Sequence, residues 1–177
     1  MKALAIAKEY GLSRYIAHQV SYSLLGREFE WELMPLAIEE GVGSLIWGPL
    51  AGGQLSGKVS RNKPAPATSR IGLQGPLDPG YPEEQLFDIV DVLQEIATAR
   101  ERTVAQISLN WLLQRPTVSS IIIGARNEEQ LRANLEAASF NLTKEELERL
   151  DTVSARPLTY PYWHQRSSYA DRNPAPV

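Results

Sequence analysis

The sequence predicts an α/β protein built on a parallel sheet, and three observations carry that prediction. Apolar or alternating runs with strand character recur at Tyr15–Ser23, Val42–Trp47 and Val118–Ile123. Stretches with helical period or helix-capping signals lie between and after them, the order that gives βαβ units with right-handed crossovers. The second run breaks at its C-terminal end into a loop rich in glycine and proline, the place where parallel α/β proteins gather their ligands.

Each element has its own warrant. Residues 2–10 are helix formers stopped by Gly11, a residue suited to a left-handed cap. In Tyr15–Ser23, Ile16, His18, Val20 and Tyr22 alternate with Ala17, Gln19, Ser21 and Ser23. One face of that strand is therefore small and polar, which suits a ligand-lined interior. Glu32–Glu40 reads as a short helix with Leu33, Leu36 and Ala37 on one face; Pro35 is tolerated in its first turn and Gly41 ends it. From Ala51 to Tyr81 runs a long irregular connection, of the kind that serves as a lid or stays unstructured.

Pro82, followed by Glu83 and Glu84, starts a helix in which Leu86, Ile89, Val90, Leu93, Ile96 and Ala97 keep a period of about 3.6 residues. Thr103-x-x-Gln106 is a capping box that opens a second helix, with Val104, Ile107, Trp111 and Leu112 on one face and Pro116 at its end. Asn127-x-x-Gln130 repeats the spacing and opens a helix through Ala138. Thr143-x-x-Glu146 opens another, to about Val153, with Leu142 and Leu147 placed for a hydrophobic staple. From Pro157 onward the sequence is rich in Pro, Tyr and Arg and is expected to be irregular.

At 177 residues one domain is expected, long enough to bury about 70% of its unfolded surface. The net charge is −3 with both signs interspersed, which points away from nucleic-acid and membrane partners. The absence of cysteine excludes disulfides, thiolate catalysis and zinc–thiolate sites. With only His18 and His164 no metal site is expected. No apolar run approaches the ~20 residues needed to span a bilayer. The N-terminal Met1–Ala7 stretch is cut short by Lys8 and Glu9 and reads as helix rather than leader. A cytoplasmic protein is expected.

The loop from Trp47 to Lys58 has little side-chain bulk, so its backbone N–H groups can approach a phosphate closely. Gly52-x-x-x-x-Gly57-Lys58 imitates a P-loop, but Val59 stands where the magnesium-holding hydroxyl belongs, and Pro64 and Pro66 follow where a helix is needed. The plainer alternative is a flexible surface loop with glycines for turns. Taken singly, Trp47 suits a core, Gln130 a helix cap, Arg126 a solvated charge and His18 a packed interior.

The pieces gain meaning in order. Gln19-Val20-Ser21-Tyr22-Ser23-Leu24-Leu25 with Arg27 and Glu30; Trp47-Gly48-Pro49-Leu50-Ala51-Gly52-Gly53 through Gly57-Lys58; Ala105-Gln106 with Trp111-Leu112-Leu113; and Gly124-Ala125-Arg126 with Gln130-Leu131 and Asn134 follow one another at family spacing. To about Ser154 the chain resembles the C-terminal part of an aldo-keto reductase, in the subgroup of bacterial oxidoreductases and potassium-channel β subunits. The resemblance implies a partial (β/α)8 TIM barrel: the last three βα units with a long lid loop and extra helices over residues 1–156, then an irregular tail over 157–177.

It also implies NADPH as cofactor. Gln19 would hydrogen-bond the nicotinamide carboxamide and Trp47 would stack on the ring. Gly48, Pro49, Leu50, Ala51 and Gly52 would wrap the pyrophosphate, Lys58 would pair with it, and Arg70 would close over it from the long loop. Gly124, Arg126, Gln130 and Asn134 would hold the adenosine end at a helix start, where Arg126 suits a 2′-phosphate. The chain departs from the family pattern at Gly48, where serine is usual, and at Ala133, where an acidic or amide residue often contacts the adenine.

In this family a tyrosine is the general acid, tuned by an aspartate, a lysine and a histidine, and all four precede the strand that carries Gln19. The resemblance thus implies no catalytic residue in this chain; Tyr10, Tyr15 and Tyr22 stand outside the matching context. A complete barrel takes about 250 residues. Three readings follow. The chain is a fragment of an NADPH-dependent reductase that acts on a small-molecule carbonyl substrate once the barrel is completed. Or it is a non-catalytic NADPH-binding module. Or it is a structural half-barrel that assembles with a complementary N-terminal half or, as a homo-oligomer, with a second copy. Tyr160, Tyr162, Trp163 and His164 of the tail would either line the substrate site or pack outside the barrel.

Overall fold

A computed structural model of the chain describes residues 2–74 and 81–168. In chain order its elements are α1 (Lys2–Glu9), β1 (Ala17–Ser21), α2 (Leu33–Glu40), β2 (Gly43–Trp47), α3 (Arg70–Gln74), α4 (Glu83–Ala99), α5 (Val104–Leu113), β3 (Val118–Ile121), α6 (Glu128–Leu135), α7 (Lys144–Val153) and α8 (Tyr162–Ser167). Short 3-10 helices cover Glu28–Glu30, Ala51–Ser56 and Glu136–Ser139. The strands form one parallel sheet in the order β1-β2-β3. This is an α/β fold, as the alternation of strands and helices predicts.

The strand register sorts the side chains. His18 lies opposite Ser44 and Val20 opposite Ile46, while Gln19 lies opposite Leu45 and Ser21 opposite Trp47. Val20, Ser44 and Ile46 are buried, so this face meets the helices. Ile89, Val90, Leu93 and Ile96 of α4, and Ile107, Trp111 and Leu112 of α5, complete the core with it. The opposite face carries exposed Gln19, Ser21, Trp47 and Ser120. Between Ser44 and Leu45 the β2–β3 register shifts by one residue. Gly43 makes room there: a Cβ at that position would sit 2.4 Å from the Ser119 hydroxyl.

Several boundaries differ from expectation. The first strand is shorter than Tyr15–Ser23: residue pairing with β2 begins at Ala17, Ile16 contributes only its carbonyl to the Gly43 N–H at 2.8 Å, and the side chains of Tyr15 and Ile16 are exposed. The third strand stops at Ile121 rather than Ile123. The connection after Trp47 is less irregular than its composition suggests, since a 3-10 helix and α3 lie within it; part of this stretch falls outside the described residues. The helix expected through Ala138 tightens into a 3-10 turn after Leu135. The tail holds α8, docked by Trp31 against Tyr162 (ring centroids 5.0 Å apart) and by the Tyr162 hydroxyl donating to Glu32 at 2.7 Å. No helix among the described residues is long and apolar enough to cross a membrane, and no cluster of His, Cys, Asp or Glu among them could hold a metal ion.

Candidate cofactor site

A cleft of about 520 Å³ opens past the C-terminal ends of β2 and β3. One wall is the loop after β2. Its glycines hold backbone conformations that side chains resist: φ is +66° at Gly48, +69° at Gly52, +104° at Gly53 and +77° at Gly57. The loop is fixed to the body from behind. Ser108 of α5 donates to the Leu55 carbonyl at 3.1 Å, and Leu55 is fully buried. Trp47, Gly48, Pro49, Leu50, Gly52 and Lys58 all line the cleft. Trp47 remains 44% exposed, so a large aromatic face is presented to the cleft instead of the core.

The other wall follows β3. Gly124, Arg126, Gln130 and Asn134 line it, brought together by the start of α6. Asn127 caps that helix by accepting from the Gln130 N–H at 2.8 Å. The Gln130 side chain accepts in turn from the Arg126 N–H at 3.0 Å, one residue earlier than a capping box would require. Glu128 and Glu129 sit in the first turn, so the positive end of this helix is partly offset and Arg126 supplies the local positive charge. Lys58 and Arg126 have no acidic partner among the described residues. The Arg126 guanidinium instead reaches the Thr68 carbonyl, at 3.4 Å from Nη1.

Two expected residues stand differently, Gln19 and Ala51, and the side chain of a third, Arg70, lies outside the described residues. Gln19 lies on the open face of β1, one strand away from Trp47's loop and outside the cleft lining. Ala51 packs toward the core and spends its N–H on the Gly48 carbonyl at 2.9 Å, so it has no donor left for a phosphate. Arg70 begins α3. Sequence reading missed Ser69 and Ile71, which bring the long connection against the cleft, and Gly53, Ser56, Val59, Ile122, Ile123 and Ala125, which complete the lining. Of these, Gly53 and Ser56 lay inside the glycine-rich signal.

Tyr10, Tyr15 and Tyr22 do not line the cleft. Tyr22 is fully buried; desolvation, then the charge of Glu30, pushes its hydroxyl well above the usual phenol range. Tyr10 and Tyr15 are exposed.

The model of the aldo/keto reductase family matches residues 1–155. The chain belongs to the aldo/keto reductase family. Its relatives include the uncharacterized oxidoreductase YrpG of Bacillus subtilis, 33% identical over 89% of this chain and 46% of that protein. The L-glyceraldehyde 3-phosphate reductase of Escherichia coli K12 is 34% identical over 85% of this chain and 44% of that protein. A Schizosaccharomyces pombe protein named "Putative voltage-gated potassium channel subunit beta" is 36% identical over 84% of this chain and 44% of that protein. This aldo/keto reductase chain thus spans a little under half the length of these relatives.

Proposed function

We propose that the chain is the cofactor-binding part of an aldo/keto reductase and that the cleft takes NADPH. The observation that carries this is the pair of cations without acidic partners among the described residues, Lys58 and Arg126, lining a glycine-walled cleft with half-exposed Trp47. The residues present fit the group. The volume lies within the ordinary range of small-ligand sites, about 300–1,000 Å³. Lys58 suits the pyrophosphate, Trp47 the nicotinamide ring and Arg126 a 2′-phosphate, whose planar fork matches that anion. When bound, NADPH supplies a hydride to a carbonyl carbon. This chain's residues would hold and orient the dinucleotide; the proton donor, and a pocket for the aldehyde or ketone, would come from the remaining part of the barrel.

Titration of the chain with NADPH, followed by tryptophan fluorescence and compared with NADH, tests the reading. Saturable quenching is expected, tighter for NADPH. Arg126→Ala should remove most of that preference, and Trp47→Phe most of the signal. Absence of saturation would overturn cofactor binding by this chain on its own. No carbonyl reduction is expected without a complementary half, and NADPH oxidation with an aromatic aldehyde that survives repurification would refute that.

A second reading, a structural half that assembles with another chain or copy, has its own observation. Ile6, Leu12, Tyr15 and Ile16 are 50–80% exposed beside and before β1, whose outer edge pairs with no other strand among the described residues. Sedimentation across a range of concentrations, alone and with an N-terminal half of a relative, tests it. A monomer in both conditions would sink it.

A further inference from the structure

One exposed arginine outside the cleft is held by more partners than a surface position needs. Arg61 lies two residues past Val59 of the cleft wall and sits in a tight turn closed by reciprocal Ser60–Lys63 backbone hydrogen bonds, both 3.0 Å. Its guanidinium bonds Glu84, Asp88 and Asp91 of α4, with Nε to Asp91 at 3.1 Å. Those carboxylates recur at the spacing that puts them on one helix face. The guanidinium also lies over the Phe87 ring, 5.6 Å from its centre. Single exposed ion pairs contribute little, but a planar fork shared by three carboxylates and backed by a ring fixes its own orientation.

The position of this grip is what matters. On its N-terminal side are Lys58 and Val59, which line the cleft; on its C-terminal side the long connection returns to the cleft at Ser69 and Ile71. We propose that Arg61 is a positioning residue for the cleft. By gripping the acidic ridge of α4 it holds Lys58 in the wall and fixes the near end of the covering segment. Ligand affinity therefore depends on a side chain that does not line the site. This rests on the reading of the cleft as a dinucleotide site.

The test uses Arg61→Ala and, from the helix side, Asp88→Asn combined with Asp91→Asn. Each is compared with the parent chain in two measurements: the rate of cleavage after Lys58 by a lysine-specific protease without ligand, and the Kd for NADPH from tryptophan quenching. Both variants should be cleaved several-fold faster and bind NADPH roughly fivefold more weakly, the size that a surface network of this kind supports. Arg61→Lys, which keeps the charge and loses the fork, should fall between in its Kd for NADPH. If the parent binds NADPH and both variants match it, the positioning role is overturned. Weaker binding with unchanged cleavage also overturns it, because the loop was then not released. If the parent shows no saturable binding, the dinucleotide reading fails and takes the affinity claim with it, whatever the cleavage rates.

Discussion

At the scale of the residue, two positions make separable predictions. Gly57 has φ +77°, and a Cβ there would lie 3.0 Å from the Val104 Cβ, a buried β-branched group that cannot rotate away. Gly57→Ala combines backbone strain with overpacking and should cost about 2 kcal/mol in denaturant unfolding. Gly11→Ala meets the same strain, φ +64°, in open space and should cost about 1 kcal/mol. Equal losses would show that packing on Val104 is irrelevant. His18 is the second position. Its Nε2 pairs with the Ser44 hydroxyl at 2.8 Å and its ring stands edge-on to Phe29. Burial lowers its pKa in the folded chain. The unfolded chain therefore takes up the proton first, and the stability present above about pH 6.5 is lost as pH falls toward the folded pKa. The parent should lose stability between pH 7 and 5.5 and His18→Gln should lose less; parallel curves would exclude His18 as the source.

At the scale of the element, local signals were legible and tertiary ones were not. Thr103 accepts from the Gln106 N–H while the Gln106 side chain accepts from the Thr103 N–H, and Thr143 and Glu146 do the same. Both boxes could be read because all their atoms lie within four consecutive residues. Thr103→Ala should cost about 1 kcal/mol. The loss should appear as a lower unfolding midpoint with an unchanged m-value, since the substitution removes one capping hydroxyl and leaves the surface buried on folding almost unchanged; a change in m would point to a different role. By contrast, α8 contains Tyr, Trp and His with no apolar period, and it forms because Trp31 and Glu32, far back in the chain, offer Tyr162 a ring and an acceptor. The ends of β1 and β3 differ from expectation for the same reason: pairing decides a strand's length, and Tyr15 has propensity without a partner residue in β2. The cleft divides similarly. Gly48 and Lys58 announced themselves through an unusual loop composition and Trp47 and Gly124 only through the family resemblance, whereas Ser69 and Ile71 reach the site only by tertiary return of the chain.

At the scale of the molecule, one charge network joins the sheet to the helices behind the cleft. Arg27 bonds Glu30 through two nitrogens, at 2.8 and 3.0 Å, and reaches Ser154 at 2.8 Å. Arg115 pairs with Asp151 at 2.9 Å and donates to the Tyr22 hydroxyl at 3.1 Å. Both guanidinium groups flank Trp111, at 5.4 and 4.9 Å from its ring. Tyr22 in turn donates its backbone N–H to the Trp47 carbonyl at 3.4 Å, which links the network to the cleft wall. Arg27 and Glu30 stood out in the sequence as neighbours; Arg115 and Asp151 did not, because their partners are remote in the chain and an isolated charge carries no sign of burial. The side chains of Arg27 and Glu30 are only 10% and 16% exposed, so desolvation is substantial and each charge is tolerated because of the other. Glu30→Gln leaves two cations facing one carboxylate and should cost about 3 kcal/mol. Arg27→Met should cost a similar amount, because it leaves Arg115 as the one cation between Glu30 and Asp151. The double variant removes both demands, so its loss should be well below the sum of the single losses, with a coupling of about 1–3 kcal/mol in a double-mutant cycle. If the two losses simply add, charge compensation is not what holds this junction, and the arginine would be acting through its packing on Trp111 instead.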